Sequence, residues 1–362
     1  MQTIKPTELQ LEGQRIMTIC NSCRYCEGYC AVFPAMEKRL TFTPSDLNYL
    51  SNLCHNCGEC FYACQYAPPH EFAVNVPVTL AQIRVASYSA YTAPSPLAPA
   101  FRHSRAVALV AVIFSLIAIW YLAVDDPNPL PGDFYAILPH RIMARLFTEV
   151  ALAVATVLFA GLLRFWREAR EPLPGPRAIF QALGNILRLE YLRSGGAGCT
   201  YPDEHHSGAR RWFHHATFYG FGCCFISTSI AAFYHFVLDL QAPYGYLSLP
   251  VIFGTIGGIG LLIGPAGLWL LRRRQDPAIA EAGEKALSNS LIAMLFFASF
   301  SGFALLLLRG TAAMPLLLKA HLAIILAFFL TIPYGKFVHG LWRAAALVRY
   351  ALERSRPSHG AE

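Results

Sequence analysis

A mainly α-helical protein, with a small cysteine-rich domain ahead of a six-helix transmembrane bundle, is the fold class that this sequence predicts. The chain has 362 residues, of which 55% are hydrophobic and only 14% are charged. That composition is too apolar for a soluble protein of this size, so most of the chain is expected in a lipid bilayer. Eight of the 11 cysteines precede the apolar part, in two copies of one spacing.

The two cysteine runs predict a pair of inorganic clusters. The first cysteine run is Cys20, Cys23, Cys26 and Cys30, and the second is Cys54, Cys57, Cys60 and Cys64. Thiolates at this spacing can hold a [4Fe-4S] cluster, and in two-cluster ferredoxins the fourth cysteine of each run binds the other cluster. The predicted metal ligands are Cys20, Cys23, Cys26 and Cys64 for one [4Fe-4S] cluster, and Cys54, Cys57, Cys60 and Cys30 for the other.

Two zinc sites or a disulfide scaffold are the alternatives for these cysteines. Zinc ribbons usually hold two Cys-x2-Cys pairs well apart, whereas here three cysteines recur every three residues. No apolar signal segment precedes the first run, which predicts a reducing cytosol and disfavours disulfides. The proline that directly follows the last cysteine in bacterial ferredoxins is displaced to Pro34 and Pro68. The spacing therefore predicts two clusters rather than the exact ferredoxin fold.

Residues 1–90 are polar enough to form a cytoplasmic, double-cluster ferredoxin-like domain. Thr43 followed by Pro44 is typical of a helix start, which favours a helical ferredoxin over a strand-rich one. Residues 91–105 form a Pro-rich linker, which is expected to be extended and poorly suited to a core.

Residues 106–345 are predicted to form the membrane bundle, because they contain six segments long enough to cross about 30 Å of hydrocarbon as helices. The segments are 106–124, 146–164, 213–238, 249–271, 289–309 and 315–340. Arginine-rich loops and the tail, residues 346–362, fall on the side of the N-terminal domain, whereas loop 239–248 has no Lys or Arg. The positive-inside rule predicts cytoplasmic termini in a multi-pass protein of the cell inner membrane.

Histidines within the membrane segments are candidate haem ligands, since polar groups there are costly. The candidates are His214, His235, His321 and His339, with His215 and His140 in reserve. His214 and His339 are expected at the cytoplasmic level, and His235 and His321 at the outer level. The 18-residue step from His321 to His339 is five helical turns, so both would lie on one face of the sixth segment. Histidines at matched depths on two helices can hold one or two b-type haems. Each histidine could instead be an interfacial residue.

Other sequence features narrow the function classes. No charged side chain lies near the middle of a segment, which disfavours a substrate transporter. The net charge of +7 is scattered at segment edges, so no nucleic-acid partner is predicted. Residues 193–204 are glycine-rich but match no phosphate-binding spacing, so they are expected to form a flexible connector or a docking surface. His103, His205, His206 and His359 are expected to be solvated.

The double cysteine run, residues 198–204 (GCTYPDE) and residues 210–220 (RRWFHHATFYG) leading to Tyr234 and His235 together resemble the CitB-like family. This resemblance covers nearly the whole chain and includes tricarballylate utilisation protein B among the family members. It implies a membrane protein with iron-sulfur clusters and haem that takes electrons from a flavoprotein dehydrogenase and passes them toward quinone.

The function predicted is therefore electron transfer. A partner flavoprotein that oxidises tricarballylate or a similar polycarboxylate would be reoxidised through two clusters and b-type haem to membrane quinone. The chain has no flavin or nucleotide fingerprint, so the substrate chemistry is expected on the partner. A membrane-bound redox sensor and a tricarboxylate transporter are the alternatives.

Overall fold

The computed structural model describes residues 7–92, 94–124, 132–196 and 198–356. Within these residues the chain has 14 α-helices, several short 3-10 helices and one two-stranded sheet. The predicted mainly α-helical class is confirmed. His359, which was expected to be solvated, lies outside the described residues.

The N-terminal domain is built from five helices that pack around an apolar core. The helices are α1 (Glu8–Cys23), α2 (Val32–Met36), α3 (Pro44–Leu53), α4 (Glu59–Tyr62) and α5 (Val76–Tyr91). At the start of α3, the Thr43 side chain accepts the backbone N–H of Asp46, and the Asp46 side chain accepts that of Thr43. This reciprocal cap, with Pro44 in the first turn, confirms the predicted helix start.

The linker is folded rather than extended. Ser95–His103 forms a 3-10 helix, in which Phe101 is buried with its ring centroid 5.9 Å from that of Tyr88 on α5. Burial of this ring ties the linker to the N-terminal domain, so the prediction from proline content alone was wrong.

Six helices are long and apolar enough to cross a membrane, as the hydropathy pattern predicts. They correspond to α6 (Ser104–Leu122, which continues from the 3-10 helix), α8 (His140–Ala169), α10 (Ala209–Leu238), α11 (Leu249–Arg273), α12 (Ala282–Leu308) and α13 (Met314–Thr331, which continues into a 3-10 turn, Ile332–Tyr334). A short helix, α7 (Phe134–Ile137), precedes α8. The chain is a multi-pass membrane protein.

The last span ends earlier than the hydropathy pattern predicts. Pro333 lacks a backbone N–H, and Gly335 is extended with φ −126° and ψ −174°, so the helix stops there. A separate helix, α14 (Val338–Ser355), follows. His321 and His339 therefore lie on different helices, and the prediction that they share one helix face is wrong.

Helices α10 and α11 approach each other closely through glycine. A Cβ on Gly220 would lie 2.9 Å from the carbonyl oxygen of Gly257, and a Cβ on Gly257 would lie 2.7 Å from the backbone nitrogen of Cys224. Only the absence of side chains at these glycines allows the two backbones to meet.

The segment between α8 and α10 returns to the N-terminal domain. It contains α9 (Pro176–Arg188), a 3-10 helix (Glu190–Gly196) and the antiparallel strands β1 (Cys199–Thr200) and β2 (His206–Ser207). A further 3-10 turn, Pro277–Ile279, joins α11 to α12.

Helix α14 packs on α3 and α9, and its residues Trp342 and Ala346 share one apolar core with the N-terminal domain. Glu353 on α14 binds Arg39, with an Nη2–Oε1 distance of 2.5 Å. Residues 346–355, predicted as a tail, are thus a buried part of the domain interface.

Candidate redox site

The first cysteine run surrounds a cavity of about 270 Å³ on the outside of the N-terminal domain. Its cysteines are Cys20, Cys23, Cys26 and Cys64, together with Cys60 of the second run, and Phe33, Val74 and Val76 are among its apolar lining residues. Cys20 lies in the last turn of α1 and Cys23 ends that helix, after which Arg24 turns the chain in a left-handed conformation with φ 55°. Cys23 is exposed. This cavity therefore reaches the solvent-facing surface of the domain.

The second cysteine run lines a narrower and more deeply buried cavity. Its cysteines are Cys30, Cys54, Cys57 and Cys60. Cys54, Cys57 and Cys60 are at most 8% exposed. Gly58 makes the turn between Cys57 and Cys60 with φ +88°, a conformation that L side chains rarely adopt.

The grouping of cysteines around the two cavities matches the exchange of fourth ligands expected from the ferredoxin pattern. Cys64 lies with the first run, and Cys30 lies with the second. Burial, and then the neighbouring thiols of Cys26, Cys64 and Cys23, raise the pKa of Cys20 to about 12. Thiols that repel one another's charged form are suited to a shared cationic occupant. The ligand assignments stay predictions.

The cysteines stand around two cavities rather than about a single point. Among the described residues, no group of three or more His, Cys, Asp or Glu side chains is placed to hold one metal ion. A tetrahedral zinc site needs four donors converging on one point.

The glycine-rich stretch is not a flexible connector, because β1 is buried against the second cysteine run. Cys199 is 1% exposed and packs in an apolar cluster with Cys57 and Tyr201. The Thr200 hydroxyl donates to the carbonyl of Cys57 over 3.3 Å. The Cys199 thiol itself donates to the carbonyl of Leu192 over 3.1 Å. Sequence reasoning missed the packing of Cys199 against Cys57, although Cys199 was a ninth cysteine without an assigned partner.

Three arginines bind the backbone that carries the second cysteine run. Arg84 on α5 donates to the carbonyls of Ser51 and Cys54, over 3.0 and 2.6 Å. Arg210 on α10 donates to the carbonyls of His55 and Asn56, over 2.7 and 2.8 Å.

Arg343 on α14 is the third of these arginines. We refer to Arg84, Arg210 and Arg343 together as the arginine layer. Arg343 donates to the carbonyls of Asn52 and Cys54 and to Nδ1 of His55, the last over 2.5 Å. Burial, followed by the charge of Arg343, holds the pKa of His55 well below its usual range, so its ring is neutral and can accept that bond. The sequence pattern indicates only membrane topology for Arg210 and Arg343, because their partners are distant in sequence.

His214 and His339 lie together at the level next to the arginine layer. Their ring centroids are 6.3 Å apart. Two metal–imidazole bonds of about 2.0 Å place the ligating nitrogens roughly 4 Å apart, and the ring centres about 1 Å further back on each side. The observed spacing therefore suits one metal ion between the two rings.

One ring nitrogen of His339 is hydrogen-bonded to a backbone carbonyl, as is common for histidines that bind metals. Its Nδ1 donates to the carbonyl oxygen of Lys336 over 2.5 Å, which leaves Nε2 as the free ligand atom. Nδ1 of His214 is buried and has no hydrogen-bond partner. His214 and His339 are the residues that would hold a haem iron at this level.

The outer-level histidines are arranged differently from the prediction. His235 stacks on the reserve candidate His140, with ring centroids 3.4 Å apart, and Tyr135 lies 5.7 Å from His235. His321 is paired with the hydroxyl of Ser301 on α12, 3.0 Å from its Nδ1. No ring contact joins His235 to His321 in the described part of the chain. The stacked rings leave no space for a metal ion between them, so the outer level does not fit a haem in this arrangement.

The other histidines have local roles. The reserve candidate His215 stacks on Tyr219 at 5.6 Å, on the opposite side of α10 from the cysteine runs. His206, expected to be solvated, has its Nε2 3.0 Å from a carboxylate oxygen of Glu59.

Comparison with known proteins places the whole chain in one family. The family model described as citrate utilization protein B matches residues 96–360, and that of its Fer4-like domain matches residues 13–90. Citrate utilization protein B of Escherichia coli is 46% identical over 356 residues, which cover 97% of this chain and 94% of the relative. No solved structure matches the chain. With a Fer4-like domain and a membrane bundle matched in the same order, the chain belongs to the citrate utilization protein B family.

Proposed function

We propose that this chain is a membrane electron-transfer protein that reoxidises a flavoprotein dehydrogenase and passes its electrons toward membrane quinone. The relative's name connects that protein with citrate utilization. A tricarboxylate such as tricarballylate, or a similar polycarboxylate, is accordingly the substrate class that we propose for the partner. The inner membrane and cytoplasmic termini are part of the proposal, which the distribution of arginines supports.

One observation carries the proposal: the second cysteine run and the His214–His339 pair are adjacent. Arg210 binds the carbonyls of His55 and Asn56, and His214 follows it by one helical turn on α10. Arg343 binds Cys54 and His55, and His339 precedes it by one turn on α14. One turn of α-helix is about 5.4 Å. Two kinds of redox ligand set therefore lie in series, from the domain surface to the membrane helices.

The side chains of this series have separate tasks. [4Fe-4S] clusters and a b-type haem, when bound, each take up and release one electron at a time. The eight cysteines of the two runs would hold the clusters, and His214 and His339 would hold one haem. Burial of Cys54, Cys57 and Cys60 shields the second site from water, and Lys336 fixes the His339 ring through its carbonyl. A second, outer haem is not proposed.

The experiment is cofactor analysis of the purified full-length protein with matched histidine variants. Iron and acid-labile sulfide are measured, and a reduced-minus-oxidised visible spectrum is recorded. His214→Ala is expected to remove the haem bands and leave the iron-sulfur content unchanged. His215→Ala changes the neighbouring position on the same helix and is expected to keep both.

Two results would contradict the proposal. Protein that contains zinc and no iron would refute the clusters, and haem bands of equal size in both histidine variants would refute the ligand assignment. Reduction of the purified protein by a tricarballylate-oxidising flavoprotein, followed by reoxidation with a quinone analogue, tests the direction of electron flow.

A further inference from the structure

The two cysteine sites differ in their access to water. At the first site Cys23 is exposed, and the nearby ring of Tyr25 is 69% exposed. At the second site Cys54 and Cys57 are buried. Charges near the second site therefore act through a medium of lower effective dielectric constant, and with less screening by salt, than charges near the first.

The second site has an excess of buried positive charge. The arginine layer directs seven hydrogen bonds at this site, six to backbone carbonyls of residues 51–56 and one to the His55 ring. Arg84 has a carboxylate partner, Glu284, at 2.6 Å. Neither Arg210 nor Arg343 forms a salt bridge with a carboxylate in the residues that the structure describes. A buried charge without a counter-ion is costly unless an occupant of the site supplies one.

The sulfur of Cys57 also has polar neighbours. The hydroxyl of Ser194 lies 3.7 Å from it, and Cys199 packs in the same apolar cluster. Both neighbours come from the segment between α9 and α10, not from the N-terminal domain. Hydrogen bonds to ligand sulfurs are among the determinants of the reduction potential of an iron-sulfur cluster.

The first site has no comparable arrangement. No arginine or lysine among the described residues lines its cavity, whereas the carboxylate of Glu59 lines the second cavity and offsets one of the three arginine charges there. Arg24 lies between Cys23 and Cys26 in sequence, but its side chain is exposed and donates to the carbonyl of Asn21. Solvent screens an exposed charge of this kind.

We propose that the site of the second cysteine run has the higher reduction potential of the two, because the arginine layer and the polar neighbours of Cys57 stabilise the added electron. This inference rests on the proposed function. One electron leaves the first site, which is oxidised, and enters the second site, which is reduced, while no proton or bond is exchanged. The first site would then receive electrons from the flavoprotein, and the second would be the donor to the membrane helices.

The first test uses the unmodified full-length protein in detergent. A redox titration followed by electron paramagnetic resonance gives the potential of each cluster signal. Adding a soluble dysprosium complex enhances the relaxation of the more exposed cluster and so identifies the first site. We expect the dysprosium-sensitive signal to have the lower potential. The reverse order would overturn the inference, while iron and sulfide in the same sample would leave the proposed function standing. A sample without iron would instead refute the proposed function.

The second test uses substitutions that remove one positive charge. Arg343→Gln is expected to lower the potential of the dysprosium-insensitive signal and leave the other unchanged. Arg145→Gln removes the same charge at an exposed position, in a pair with Glu149, and is expected to shift neither signal. Ser194→Ala removes the hydroxyl beside the Cys57 sulfur with no change of charge, and we expect a smaller shift in the same direction as Arg343→Gln. If every variant had the same two cluster potentials as the unmodified protein, the proposed role of these residues would be contradicted.

Discussion

Glu284, in the first turn of α12, connects the membrane bundle to the N-terminal domain, and its removal is the most direct test of how the two are held together. One carboxylate oxygen binds Arg84 of α5 over 2.6 Å, and the other binds Lys336 over 2.5 Å. The three side chains are 12%, 3% and 9% exposed, in the order Glu284, Arg84, Lys336. Glu284→Gln keeps the size of the side chain and removes its charge, so two buried cations lose their counter-ion.

The expected cost follows from this burial. Removing one partner of a buried ion pair costs about 3–5 kcal/mol, because the remaining charge stays buried without compensation. Glu12→Gln is the matched control, since Glu12 pairs with Arg15 over 2.7 Å on the exposed surface of α1 in the N-terminal domain. An exposed pair three residues apart on a helix contributes only about 0.2–0.5 kcal/mol.

The assay is thermal unfolding of the detergent-solubilised protein, followed by tryptophan fluorescence at equal protein and detergent concentrations. We expect Glu284→Gln to lower the unfolding midpoint clearly and Glu12→Gln to leave it nearly unchanged. Similar midpoints for the two variants would refute the reasoning, because the buried pair would then contribute no more than the exposed one.

Glycine substitutions give two further predictions, each with a control on a nearby open position. Gly220→Ala places a methyl group against the backbone of α11 and is expected to lower the unfolding midpoint in detergent, whereas Gly222→Ala on the same helix meets no atom within 4 Å and should not. Gly58→Ala combines a positive φ with a methyl group 2.5 Å from the carbonyl of Thr200, so we expect it to reduce the iron content of the purified protein. Gly28→Ala meets no atom within 4 Å and is expected to retain full iron content; equal losses in both variants would contradict the role assigned to the Gly58 turn.

Local patterns predicted much of the architecture. Helical hydropathy located all six spans, and the Thr43–Pro44 pair located the start of α3, because both depend on residues close together in sequence. The end of the last span was missed for a local reason as well. The apolar pattern continues past Pro333 and Gly335, so the backbone conformation, not the hydropathy, ends the helix.

The candidate site was predictable only in part. Regular spacing identified the eight cysteines, whereas the arginine layer brings together residues from α5, α10 and α14 that are more than 100 residues apart. Arg210 and Arg343 are also suitable for a cytoplasmic loop, so their sequence context does not distinguish the two roles. Stacking of His235 on His140 was missed because α8 begins earlier than its apolar segment.

Docking of α14 on α3 has a consequence for biosynthesis. The N-terminal domain lacks part of its apolar core until α14 has been synthesised, since Trp342 and Ala346 belong to that core. The 264 residues from the end of α5 to the end of α14 take roughly 15–50 s to translate at the usual rates. During that interval the nascent domain has an uncovered apolar face and lacks Arg343, so it cannot complete its fold as soon as its own helices have been made.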